Sequence, residues 1–235
     1  MAIQAAAYLK GKLGNIVFYR RSGNYIARSL PDRVHQSPAT RQRSINFGIA
    51  ASAGKTLRQL LAASIADTRD KKMQSRFSGA ISQWLGTADL ATLQPSDSIP
   101  YVLNFSFNNG VGVAERFKVP ISITQPSANM LRIHIPAFIP ALSIAAPVHT
   151  SFVEFSITVA SCRLKDATAQ GSISEKLIIP YTDELYNEQT LLLPVNTVPG
   201  SVVITAGLLH FILNNDQTDQ RPSFISSSVM DARYY

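Results

Sequence analysis

Cysteine is almost missing from this chain. Cys162 stands alone among 235 residues, so no intrachain disulfide can form, and folding in a reducing compartment is the economical reading. Charge is sparse too, at 16% of residues, and acids are scarcest near the start. No apolar run approaches the ~18 residues that a membrane-spanning helix needs. Residues 1–9 lack a basic stretch, and their apolar run is too short for a signal peptide. The expectation is synthesis in the cytoplasm without a signal peptide, with a virion or an extracellular assembly as candidate destinations.

Motifs that carry chemistry are also lacking. His35, His134, His149 and His210 have no metal-ligand spacing, and no Gly-x-Ser-x-Gly elbow occurs. The segment from Gly48 to Gly54-Lys55-Thr56 resembles a phosphate-binding loop, but five residues separate its glycines where the cradle needs four. It also lies within a helical pattern. Asp183, Glu184 and Glu188 read as a solvated acidic turn, and Cys162 as a structural thiol. The expectation is therefore a non-enzymatic protein with no cofactor, no metal and no small-molecule substrate.

What is present is a charge split. Residues 1–80 hold 14 of the 22 Lys and Arg but only three acids, about +11; the remainder carries eight bases and 12 acids, about −4. Folding does not require such a separation, so it points to a partner. Lys10, Lys12, Arg20, Arg21 and Arg28 surround a β-prone pair of runs that also carries Tyr8, Phe18, Tyr19 and Tyr25. Arg41, Arg43, Lys55 and Arg58 follow on a helical stretch. These nine cations are the candidate partner contacts: the acidic body of another copy, or a nucleic-acid backbone with bases stacked on the aromatics.

The periodicity predicts an α+β chain. Residues 15–20 and 25–28 form a hairpin about a Gly-Asn turn. Ser37-Pro38 caps a helix whose Ile45, Ile49, Ala53, Leu57, Leu60 and Leu61 share one face. A second helix starts near Asp70, after a break at 67–69, and ends at a Gly86 cap; Met73, Phe77, Ile81, Trp84 and Leu85 define its apolar face. Residues 87–100 read as a linker. The period then changes to two, with strands expected at 101–107, 117–124, 130–135, 151–163, 172–179, 190–193 and 201–213. That spacing predicts an antiparallel immunoglobulin- or fibronectin-like β-sandwich over 101–213. The expected domains are a basic hairpin and two-helix head at 1–86, the linker, the sandwich, and a polar tail at 214–235.

The head carries a further pattern: Gly11-Lys12, Gly14-Asn15, Gly23, Arg28 with Pro31, and Thr40 to Ser44 with Phe47-Gly48. It resembles an uncharacterised family from Bacteroidota with an N-terminal Gly-Lys-x-Gly-Asn hairpin, a Gln/Arg-rich helix and a C-terminal β-sandwich. The resemblance covers residues 10–60 well and the sandwich loosely. It implies architecture and lineage, and no activity. Together these features predict a self-assembling subunit of a filament, tube or virion-like homo-oligomer with head-to-body contacts; a nucleic-acid-binding module is the alternative.

Overall fold

The computed structural model describes residues 2–5, 8–31, 36–65, 70–88, 92–108, 111–127, 129–214, 218–219 and 224–235. The expected break at 67–69 and His35 lie outside them. Backbone contacts divide the chain into two units, Met1–Gln42 and Arg43–Tyr235. The first unit opens with strands β1 (Ala2–Ala5), β2 (Tyr8–Leu13), β3 (Ile16–Arg21) and β4 (Asn24–Ser29), all antiparallel in the order β1-β2-β3-β4. The expected hairpin is β3–β4. Its turn is Ser22-Gly23, with φ of 49° and 89°, which the right-handed twist of the flanking strands favours. β1 and β2 were not expected. Gly14, at φ 58°, begins the second tight turn between β2 and β3.

Helix α1 (Pro38–Leu60) crosses the division between the units. Its start follows the expectation: the Ser37 hydroxyl accepts the Thr40 amide at 3.2 Å. A short 3-10 turn (Ala62–Ser64) and helix α2 (Met73–Thr87) follow. The Asp70 carboxylate accepts the Lys72 amide at 2.6 Å just before α2. Gly86 lies inside α2, and the chain leaves the helix at Ala88 instead. Asn46 donates to the Leu85 carbonyl at 2.9 Å, while Gly54 and Arg58 lie beside Ser78. The two helices are therefore antiparallel, and α1, eight residues longer, overhangs the end of α2. One expectation is corrected: Ile45 is 56% exposed rather than on the core face, and Phe47, 60% exposed, lines a groove with Gly79, Gln83 and Gly86 of α2.

The remaining elements are β5 (Asp97–Ser98), α3 (Val113–Arg116), β6 (Ser122–Ser127), β7 (Met130–Ile135), α4 (Pro140–Ser143), β8 (Thr150–Arg163), β9 (Thr168–Pro180), β10 (Gln189–Pro194), β11 (Ser201–Leu213) and β12 (Ser226–Tyr234). They form a three-stranded sheet, β10-β7-β6, and a five-stranded sheet, β5-β12-β11-β8-β9, with every pairing antiparallel. The chain is thus a mixed α and β protein built on antiparallel sheets.

Alternation along the central strands separates two cores. Ala160, Cys162, Val202, Ile204 and Ala206 pack with Ala53, Leu57, Phe77, Ile81 and Trp84 of the helical pair. Val153, Phe155, Ile157, Val203 and Phe211, on the opposite face, pack with Leu131, Ile133 and Leu193 of the three-stranded sheet. Burial on both faces explains why β11 reads as an almost unbroken apolar run and why β8 is buried continuously from Phe155 to Cys162. It also revises the expected head of 1–86, because the helices share their core with the sheet of the second unit.

Three expected segments differ. Residues 101–104 are turns, not a strand: Asn104 sits at φ 60°, and the amides of Val102 and Leu103 both bond to the Ile99 carbonyl, while 105–107 meet β12 only through an isolated Ser106–Ser228 bridge. The expected strand at 117–124 begins only at Ser122, because Phe117 closes the short helix α3. The expected polar tail contains β12, which lies between β5 and β11, and so the linker's end (β5) is also sheet. Seven strands do fill the two sheets from β6 onward, but the membership is not the expected one.

Candidate interaction surface

The nine candidate cations fall into three groups. Lys10, Lys12, Arg20, Arg21 and Arg28 are exposed on the four-stranded sheet. Cross-strand register sorts β3 and β4 by face: Ile16, Phe18 and Arg20 lie opposite Ser29, Ala27 and Tyr25, while Val17, Tyr19 and Arg21 lie opposite Arg28, Ile26 and Asn24. Each face carries an arginine over a tyrosine. On one, the Arg20 guanidinium is 5.4 Å from the Tyr25 ring centroid, and Tyr25 stacks on Tyr8 with centroids 3.6 Å apart. Arg20 Nε also donates to the Gly23 carbonyl at 3.3 Å, which fixes it above the turn. On the other face Arg28 lies 5.9 Å from the Tyr19 centroid.

No described side chain from residue 8 to residue 42 is buried. Tyr8, Leu9, Leu13, Ile16 and Tyr25 are among the exposed large apolar side chains. A sheet of this size becomes stable in water when one face is covered by apolar packing, and the described side chains of the first unit cover neither face.

Arg41 and Arg43 form the second group, exposed on the first turns of α1. Lys55 and Arg58 form the third. They line a groove of about 600 Å³ between α1 and α2 together with Lys71, Gln59, Gln74 and Asp70. Burial pushes the Arg58 guanidinium down from its ordinary value, and it reaches the Ser78 hydroxyl at 3.4 Å. The Asp70 carboxylate is engaged by Arg76, whose hydrogen bond holds it below the usual carboxylate range. Residues 48–56 are helical throughout and Thr56 donates to the Ala167 carbonyl at 2.9 Å, so no backbone cradle for phosphate exists there.

A second exposed apolar area was not singled out from the sequence. The Ala141 amide donates to the Thr182 carbonyl at 3.1 Å, and Phe138 and Tyr186 exchange backbone bonds at 3.1 and 2.8 Å. These bonds join α4 and the loop at 181–188 into one ledge. Leu142 and Leu185 stand on it 77% and 63% exposed, with Asp183, Glu184 and Glu188 exposed beside them. Val148, 77% exposed, lies next to the Pro147 carbonyl that holds the Thr150 hydroxyl at 2.8 Å. Nothing in the periodicity of these loop residues marks them; only their backbone bonds bring them together.

Several titratable groups elsewhere have structural surroundings. His134 Nδ1 is 3.3 Å from the Thr190 hydroxyl, and Glu154 lies between Lys176 at 2.9 Å and His210 at 3.8 Å. Burial, with a smaller effect from Asp166, pushes the Cys162 thiol up to about 11. Among the described residues no three His, Cys, Asp or Glu side chains are grouped to hold a metal ion, and no helix is long and apolar enough to cross a membrane. No family model matches the chain, and no curated protein matches it.

Proposed function

We propose that this chain is a non-enzymatic subunit that assembles with copies of itself through the basic, aromatic sheet β1–β4. One observation carries the reading: that sheet presents apolar and arginine-capped aromatic side chains on both faces, and none of its described side chains is buried. Exposed apolar area on this scale is a mark of an interface. Charge supports the same partner. Residues 1–42 carry seven bases and one acid, about +6 of the chain's net +7, so the sheet attracts an acidic surface and repels its own equivalent. Contact between two different surfaces of identical copies is heterologous, and it builds rings or filaments rather than closed dimers.

We read the body as a sandwich of fibronectin type. Lettered A to G, strands β6–β12 distribute as A, B and E on one sheet and D, C, F and G on the other, with β5 as an added edge. An immunoglobulin constant domain has ABED and CFG, so this arrangement differs by the transfer of D. The single cysteine lies in strand C, so the B–F disulfide of antibody domains has no counterpart. Such a scaffold hosts many functions and by itself implies none.

A nucleic-acid partner is the second reading, favoured by the Arg20–Tyr25–Tyr8 stack, since stacked aromatics beside arginines hold single strands. Light scattering on nuclease-treated protein, wild type and Arg20→Glu/Arg28→Glu, separates the two. Self-assembly predicts species well above the 25.6 kDa monomer that shrink in the variant. Large species only with added oligonucleotide would favour the second reading, and a monomer under every condition would refute both.

A further inference from the structure

Most of the exposed large apolar side chains among the described residues fall into groups. Five lie on the β1–β4 sheet, two, Ile45 and Phe47, on α1, and three, Leu142, Val148 and Leu185, on α4 and loops of the second unit; Tyr101, Phe152, Ile178 and Leu192 lie elsewhere in that unit. The two areas have opposite chemistry. The sheet is aromatic and cationic; the loop at 181–188 holds three acids and no base. Lys118 borders α4, its amide on the Ser143 carbonyl at 2.9 Å, and Arg116 is turned to the Ala145 carbonyl at 3.0 Å and the Phe224 ring. Asp183 and Glu184 are exposed beside Leu185, and the exposed Lys118 is the one described cation bordering α4 whose side chain is not turned inward.

We propose that the ledge formed by α4 and the 181–188 loop is the acceptor for the β1–β4 sheet of another copy, with Leu142 and Leu185 under its Tyr8–Tyr25 face and Asp183 and Glu184 opposite Arg20. This rests on the assembly reading above and supplies the surface that reading leaves unassigned. The ledge is already braced for such a contact. Its α4 and loop backbones are bonded to each other, and Tyr181 donates its amide to the Ser151 carbonyl of β8 at 2.9 Å. Leu142 and Leu185 can thus be desolvated without first ordering a loop, which lowers the cost of association. Opposite charge at the rim guides the encounter and sets the register.

Sedimentation equilibrium on the full chain at roughly 100 mM salt, where facing charges within a Debye length still interact, tests this directly. Asp183→Lys/Glu184→Lys should weaken association roughly tenfold or more, because like charges then face each other. Leu142→Ser/Leu185→Ser, at positions too exposed to threaten folding, should weaken it similarly. An equimolar mixture of the Asp183→Lys/Glu184→Lys and Arg20→Glu/Arg28→Glu proteins should regain association that neither has alone, since each contact again pairs opposite charges. If both ledge variants associate like wild type while the Arg20→Glu/Arg28→Glu protein does not, assembly stands and the ledge is overturned. A wild type that stays monomeric removes the assembly reading and the ledge together.

Discussion

Replacing Phe77 by alanine tests whether the helical pair belongs to the core of the second unit. Phe77 is fully buried on α2, its ring 5.1 Å from Phe105 and 5.7 Å from Phe107, and those two rings are 5.5 Å apart. Truncation empties the centre of this aromatic trio, and a buried Phe→Ala change costs about 3–5 kcal/mol through lost transfer energy and the cavity left behind. Trp84, the single tryptophan, reports the event directly. It is buried on α2 with its ring 5.8 Å from Tyr234 of β12, so its emission follows helix–sheet separation. With a urea m value of about 3 kcal/mol/M for a unit of this size, the midpoint should fall by about 1–2 M at unchanged m. Phe47→Ala is the internal control. Its side chain is 60% exposed on α1, so its midpoint should stay within the equivalent of about 0.5 kcal/mol of wild type. Equal shifts in the two variants, or a negligible one in Phe77→Ala, would refute the packing described above.

Asp70→Ala should lower the melting temperature at pH 7 and have much less effect near pH 3. Its carboxyl is held below the usual range chiefly by the Arg76 hydrogen bond, so the stabilisation is present above the unfolded carboxylate value of about 3.9 and fades as pH falls through the folded one; equal losses at both pH values would contradict this. Cys162 should resist thiol reagents at pH 8 until urea exposes it, because the thiol is buried and pushed up to about 11; rapid stoichiometric labelling of native protein would count against its burial. Gly23→Val should cost the β3–β4 turn about 1–2 kcal/mol, since a side chain at φ 89° meets its own backbone. Amide exchange in β3 and β4 should then accelerate while the Trp84 unfolding transition stays put; coupled changes would argue against two separable units.

Several elements could be read from the chain because one signal dominated each. Ser37-Pro38 set the start of α1, and β7, β8, β10 and β11 showed as runs of β-branched and aliphatic residues. β12 was hidden by its composition. Ser226, Ser227 and Ser228 are buried, and two of them satisfy partners distant in sequence: the Ser227 hydroxyl donates to the Ser64 carbonyl, and the Ser228 hydroxyl accepts the Val113 amide at 3.0 Å. A serine run looks like a solvated tail until those partners are known. The alternation at 101–107 misled for the opposite reason: Val102 and Phe107 enter the helix-side core from a turn and a bend rather than from a strand. Ile45 kept the helical rhythm, but rhythm cannot reveal that the helix-side core stops short of it. The candidate cations were legible one by one. Their division between the sheet, the start of α1 and the α1–α2 groove depended on the fold, as did the ledge, whose residues are brought together by bonds between loops.

The central claim is that the β1–β4 sheet gains its cover from another copy, and amide hydrogen exchange over residues 8–30 measured against protein concentration tests it most directly. A sheet whose described side chains are not buried opens readily, so its amides should exchange quickly in dilute protein. Association by mass action should then slow them as concentration rises, with β11 unchanged throughout. Protection of residues 8–30 that is the same at every concentration, in protein freed of nucleic acid, would contradict the account.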